Sequence, residues 1–252
     1  MTNLAPARLT APASPSMSSA SVVTSARLAE TPWRRCPVAR GLYTSAMRVG
    51  AALAKVGVSA HLLTLASLVF AVGVAATAAQ GWFGTAAALL MASGACDLLD
   101  GIVARARGTA SPFGALLDST VDRVADGLPL LGLIVAFAKD GPIVAVPAFA
   151  MIGVFAVSYV RARAEALGVS LPPLFMRRPE RVVLLILALL LADVGVTWWP
   201  SRAPLTLALV AAIGALSVWS TVAALRWGRV ALERTARAAP PEPLTARRRD
   251  LC

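Results

Sequence analysis

Charge is scarce in this chain: 15% of its 252 residues are Asp, Glu, Lys or Arg, 58% are apolar, and mean hydropathy is +0.72. A soluble domain carries nearer a quarter charged residues, so the solvent this composition fits is a lipid bilayer. Cysteine and histidine are almost absent. Cys36, Cys96 and Cys252 form no CxxC, and His61 is the single histidine. Neither a disulfide framework nor a Cys/His metal set is supported, which suits a reduced, cytoplasm-facing protein. Lysine is confined to Lys55 and Lys139 among 24 basic residues, a bias of composition rather than of mechanism. The net charge of +11 would suit nucleic acid or anionic headgroups; the hydropathy selects lipid, and no nucleic-acid partner is expected.

Residues 1–41 lack an apolar run long enough for a signal-peptide core and are rich in Ala, Ser, Thr and Pro, with five arginines. They read as a disordered cytosolic tail, an organellar transit peptide being the alternative. Over 42–56, Leu42, Ala46, Val49, Leu53 and Val56 recur every three or four positions, as in a helix lying in the membrane interface; a lead-in to the first span is the other reading. From Val56 to Cys96 there is no formal charge. As helix that stretch would reach about 60 Å, two crossings of a ~30 Å hydrocarbon core, with Gln80-Gly81 as the turn. Further spans are expected over 116–138, 141–160, 182–199 and 203–225. The expected fold is therefore an all-α polytopic membrane protein with six transmembrane helices, an interfacial helix at 42–56, and a basic cytosolic tail at 231–252.

Of the 24 basic residues, 22 fall in the N-terminal segment, the 97–123 region, the 161–181 loop and the C-terminal segment, leaving only Lys139 and Arg202 for the opposite face. The positive-inside bias then makes both termini, the 97–113 loop and the 161–181 loop cytoplasmic, in a plasma membrane, with Trp198 and Trp199 as interfacial anchors on the far side.

Thirteen acidic residues are spread along the chain, yet Asp97, Asp100, Asp118, Asp122 and Asp126 lie within thirty positions at the ends of two membrane helices. Ionisable groups at such places are costly and imply function. Asp97 and Asp100 are three apart, Asp118 and Asp122 four apart, so each pair shares a helix face. The loop from Gly108 to Pro112 can bring the faces together. Four converging carboxylates form a hard-oxygen site of the kind Mg²⁺ or Mn²⁺ prefers. A divalent-cation channel or transporter would also use intramembrane carboxylates, but would not explain Gly101, Ala104 and Arg105 at their spacings.

The string D-L-L-D-G-I-V-A-R, eight residues, then G-A-L-L-D-S-T-V-D resembles the signature of the CDP-alcohol phosphatidyltransferase family, with Asp97, Asp100, Gly101, Ala104, Arg105, Gly114, Asp118 and Asp122 at every fixed position. Six spans with the motif between the second and third match that family too, extending the likeness over about 42–230. The resemblance implies transfer of a phosphatidyl-type group from a CDP-linked lipid, CDP-diacylglycerol, to an alcohol with release of CMP, in a homodimer. It implies two Mg²⁺ ions, or Mn²⁺, on the diphosphate, held by Asp97, Asp100 and Asp118, with Asp122 contributing to the second ion and acting as general base. Gly101 and Ala104 would let the nucleotide approach the helix, Arg105 would hold a donor phosphate, and Ala60, His61, Leu62, Leu63 and Ser111 would touch the CDP-lipid. This sequence departs from the family at Ala60-His61, where Pro-Asn is frequent.

The motif is silent on the alcohol. A small phosphorylated acceptor needs further cations, and Arg161, Arg178 and Arg181 are the candidates, with Arg163 and Arg177 nearby. The strings D-S-T-V-D-R-V-A-D, S-Y-V-R-A-R-A-E and R-R-P-E-R look similar to the phosphatidylinositol-phosphate synthase branch, which implies inositol 1-phosphate; the alternative is phosphatidylglycerophosphate synthesis from glycerol 3-phosphate.

Overall fold

The computed structural model of the chain describes residues 37–198 and 204–238. Among these, seven α-helices occur and no strand: α1 (Pro37–Val56), α2 (Ala60–Ala79), α3 (Phe83–Ala106), α4 (Pro112–Ala136), α5 (Ala145–Ala166), α6 (Arg178–Trp198) and α7 (Pro204–Ala238). A 3-10 turn, Gly141–Val144, leads into α5. The chain divides into two units, residues 1–48 and 49–252, with the boundary inside α1. In the first, the described residues form the opening turns of α1, where the Thr44 hydroxyl donates to Gly41 O (2.9 Å). The expected tails at 1–36 and 239–252, and Trp199, lie outside the described residues.

The uncharged stretch folds as read: α2 and α3 are separated at Gln80–Trp82, where Gly81 takes φ +80, a left-handed conformation that glycine adopts without penalty. Three boundaries differ from the sequence expectation. α1 starts at Pro37 rather than 42, with proline tolerated in a first turn because its missing N–H has no helical partner there. α4 starts at Pro112 rather than Leu116, because the Ser111 hydroxyl accepts from Gly114 N (3.0 Å) and caps the helix ahead of its apolar run. α7 continues to Ala238, eight residues into the segment expected as tail, since no Pro or Gly interrupts it after Gly228.

In the second unit, α2 packs on α3, α3 on α6, α6 on α7, α7 on α5, α5 on α4, and α4 back on α2. The core between them holds Val74, Leu90, Leu130, Leu133, Val154, Leu189 and Ile213. Apolar burial alone cannot drive such packing in a bilayer, where lipid is as apolar as leucine; close backbone approach and interhelical hydrogen bonds contribute instead. At Gly132 of α4 a Cβ would lie 2.8 Å from Ala75 O of α2. Ser93 of α3 donates to Ser67 O of α2 (2.8 Å), and Thr206 of α7 to Ala188 O of α6 (3.1 Å).

Among the described residues, four stretches are long and apolar enough to cross a membrane: Ala60–Ala79, Phe83–Ala106, Gly141–Ala166 and Pro204–Arg234. The chain is thus a multi-pass membrane protein. α4 and α6, with 25 and 21 residues, have the length as well, but Asp118, Asp122, Arg123 and Asp126 on one and Arg178, Glu180, Arg181 and Asp193 on the other dilute their apolarity. Those charges are where the chemistry collects.

Candidate active site

α3, α4 and α6 meet where α3 ends and α4 and α6 begin, and each delivers charged side chains to the junction. α3 runs unbroken to Ala106, so its last turns present Asp97, Asp100, Gly101, Ala104 and Arg105. It stops at Gly108, whose φ is +65. Arg107 Nη1 then donates to Gly57 O and Val58 O, both at 2.7 Å, tying the α3–α4 loop to the turn before α2.

Carboxylate oxygens of Asp97, Asp100 and Asp118 lie within 4.8 Å of one another. An octahedral site with metal–oxygen distances of ~2.0–2.1 Å places its ligands within about that span, and carboxylate oxygen is the donor such cations favour, so the trio fits a divalent cation. Asp100 is buried, and the Thr64 hydroxyl of α2 donates to its Oδ2 (2.6 Å). That hydroxyl also lies 3.1 Å from Ala60 O. Thr64 thereby fixes one carboxylate oxygen and leaves the other for a cation. Asp122, expected as a fourth member, stands one turn further along α4 and outside the trio. Its Oδ1 is 2.6 Å from Arg178 Nη1, which also pairs with Asp97.

Of the residues expected to touch a CDP-lipid, five lie at the N-terminal ends of α2 and α4. Ala60, His61, Leu62 and Leu63 form the first turn of α2, capped by Ser59, which accepts from Leu62 N (3.2 Å). The His61 ring meets Phe113 edge-on at 6.2 Å, and Gly114 leaves room between His61 and Ser111: a Cβ there would be 3.5 Å from His61 Cε1 and 3.2 Å from Ser111 Oγ. On α3, the Arg105 guanidinium folds back over Gly101, where a Cβ would approach Nη1 to 3.2 Å. Ala104, on the same turn, is half-buried.

The candidate acceptor arginines divide. Arg178 lies among Asp97, Asp122 and Asp126, with its Nε 3.3 Å from Asp126 Oδ1. Arg181 is 5% exposed and pairs with Asp126 Oδ2. Arg161 of α5 is half-buried and within electrostatic reach of Arg177 and Arg181. Sequence reasoning gave no role to Thr64 or Asp126. For Asp126 the signal was present, a carboxylate one turn beyond Asp122; for Thr64 there was none, since its partner lies 36 positions away.

Comparison with known proteins supports this geometry. The chain is 37% identical over 154 residues to the archaetidylinositol phosphate synthase of Methanothermobacter thermautotrophicus, covering 61% of this chain and 77% of that one. It is 38% identical over 107 residues to the phosphatidylinositol phosphate synthase of Mycobacterium bovis, covering 41% of this chain and about half, 49%, of that relative. Crystal structures of the Mycobacterium tuberculosis phosphatidylinositol phosphate synthase superpose with TM-scores of 0.64 for the form with CDP-DAG bound and 0.65 for the complex with manganese and citrate. The identities are 28% and 29%, and each match covers 73% of this chain and 92% and 88% of the other. The sequence profile of one family, CDP-alcohol phosphatidyltransferase, matches residues 58–227. That stretch takes in every carboxylate and arginine of the α3–α4–α6 junction, and with it the chain belongs to the CDP-alcohol phosphatidyltransferase family.

Proposed function

We propose that this enzyme transfers the phosphatidyl group of CDP-diacylglycerol to inositol 1-phosphate and releases CMP. The observation that carries the reading is the meeting of the Asp97–Asp100–Asp118 trio with Arg178 and Arg181 at one junction: a cation site for a diphosphate beside cations for a second phosphate. The names of the synthases it resembles support this acceptor over glycerol 3-phosphate.

In this reading Asp97, Asp100 and Asp118 hold Mg²⁺ or Mn²⁺, with Asp122 completing a second site. Two bound cations would neutralise the donor diphosphate and ease departure of CMP. The chain's own residues do the rest. Arg105 holds a donor phosphate oxygen beside Gly101, the first turn of α2 and Ser111 receive the nucleotide, and Ala104 keeps the α3 surface low beneath it. Asp122 takes the proton of the acceptor hydroxyl. A base there must be ionised and within hydrogen-bond reach of the acceptor hydroxyl, and Asp122 Oδ1 lies 2.6 Å from Arg178 Nη1. Arg161, Arg178 and Arg181 receive the acceptor phosphate.

The same reading assigns residues 42–230 to the catalytic membrane domain, with α1 in the interface, six spans counting α4 and α6, both termini and the active site cytoplasmic, the plasma membrane as location, and a homodimer as assembly. The test is CMP release by purified protein offered inositol 1-phosphate, glycerol 3-phosphate and free inositol in turn. Highest turnover on inositol 1-phosphate is expected; preference for glycerol 3-phosphate would make the enzyme a phosphatidylglycerophosphate synthase.

A further inference from the structure

Asp126 lies one turn beyond Asp122 on α4, 7% exposed, outside the eight-residue signature and outside the carboxylate trio. Its two oxygens are divided between two arginines of α6: Oδ1 accepts from Arg178 Nε at 3.3 Å, and Oδ2 pairs with Arg181 Nη2. Arg181 is anchored further. Its Nη1 donates to Met176 O (2.9 Å), and its Nη2 reaches Ser158 Oγ of α5 (3.5 Å). Met176 is fully buried with φ +60, and Ser220 of α7 donates to Phe175 O (2.7 Å), so the segment entering α6 is held on two sides. Two features separate this arrangement from an ordinary buried ion pair. Arg178 meets Asp126 through Nε while its Nη1 lies against both Asp97 and Asp122. Arg181 Nε is buried without a partner, an uncommon cost unless a ligand supplies the acceptor.

We infer that Asp126 is a positioning residue for acceptor recognition, holding the Arg178 and Arg181 guanidinium groups side by side so that they read a phosphate on the alcohol. The inference rests on the phosphorylated-acceptor reading above. The two arginines share Asp126, which fixes the orientation of both guanidinium groups. Without Asp126, nothing opposes the pull of Asp97 and Asp122 on Arg178, and Arg181 loses its only anionic partner among the described contacts. Asparagine cannot replace it: the amide has one acceptor oxygen, so it can serve one arginine, and it presents N–H donors to the other.

The experiment compares the parent enzyme, Asp126→Asn, Arg181→Gln and the double variant in detergent, measuring CMP release while CDP-diacylglycerol and the acceptor are varied separately, with thermal melting alongside. The acceptor KM of Asp126→Asn is expected to rise at least about tenfold and the donor KM to stay within about twofold, since a lost charge-assisted contact is felt where the phosphate sits. The double variant should be less impaired than the product of the single effects, because Asp126 acts in part through Arg181. A merely structural Asp126 would raise both KM values together or lower kcat alone, and either result overturns the inference, as does an unchanged acceptor KM or a double-variant effect equal to the product of the single ones. Should Asp126→Asn fail to fold, a triple variant that removes Asp126, Arg178 and Arg181 together is set against the Arg178→Gln/Arg181→Gln pair: equal acceptor KM values support the inference and a further tenfold loss overturns it. A parent enzyme that prefers unphosphorylated alcohols would instead sink the acceptor reading itself.

Discussion

Asp100 is the most enclosed of the three clustered carboxylates, 5% exposed, and the Thr64 hydroxyl is its donor at 2.6 Å. Removing that donor should leave the fold in place but let the carboxylate swing. Thr64→Val is therefore expected to raise the Mg²⁺ or Mn²⁺ concentration for half-maximal activity by roughly 10–100-fold, the usual penalty for losing a group that orients a ligand. Thr64→Ser should restore it, and metal titration of activity checks both. At Asp122 the expectation is different. Asp122→Asn should retain binding of CDP-diacylglycerol while transfer falls by ~10²–10⁴, the scale of a lost general base; near-parental turnover with an unchanged pH profile would remove Asp122 from that role. The signature carboxylates were legible in the sequence because their spacing of three and four fixes a shared helix face. Thr64 was not, because a contact between two helices leaves no periodic trace in either.

At the level of helices, the reading succeeded where one force dominates and failed where two compete. The uncharged stretch 56–96 yields two helices, α2 and α3, long and apolar enough to cross a membrane, with the turn at Gly81, since helix satisfies so many backbone groups internally. The start of α4 was placed late because the apolar onset was followed rather than the Ser111 cap, and the end of α7 was placed early because polarity was mistaken for a helix stop. How α2 meets α4 was invisible, although it shapes the site: the two helices carry Thr64 and Asp118. Their approach depends on Gly132, where a side chain would collide with Ala75 O at 2.8 Å and with Ala78. Gly132→Leu should cost about 1–3 kcal/mol by overpacking, read as a lower melting temperature in detergent together with lost activity. Unchanged melting would show that the helices can separate at no cost.

For the whole molecule the membrane sets the frame. The proposed cytoplasmic placement of both termini rests on the 22-to-2 division of basic residues, and the sequence supplies reporters for it in Cys36 and Cys252. In a Cys96→Ala background, a membrane-impermeant maleimide should label both cysteines in inverted vesicles and neither in right-side-out ones. Labelling of one terminus from each side would mean an odd number of crossings. In the proposed function the α3–α4–α6 junction binds a CDP-lipid through its carboxylates and a phosphorylated alcohol through its arginines. The most direct measurement is CMP release from CDP-diacylglycerol by the purified protein, with and without inositol 1-phosphate, in Mg²⁺, Mn²⁺ or EDTA. The account predicts release that requires both the divalent ion and the phosphorylated alcohol, with free inositol a poor substitute; robust release in EDTA, or equal use of inositol and inositol 1-phosphate, would contradict it.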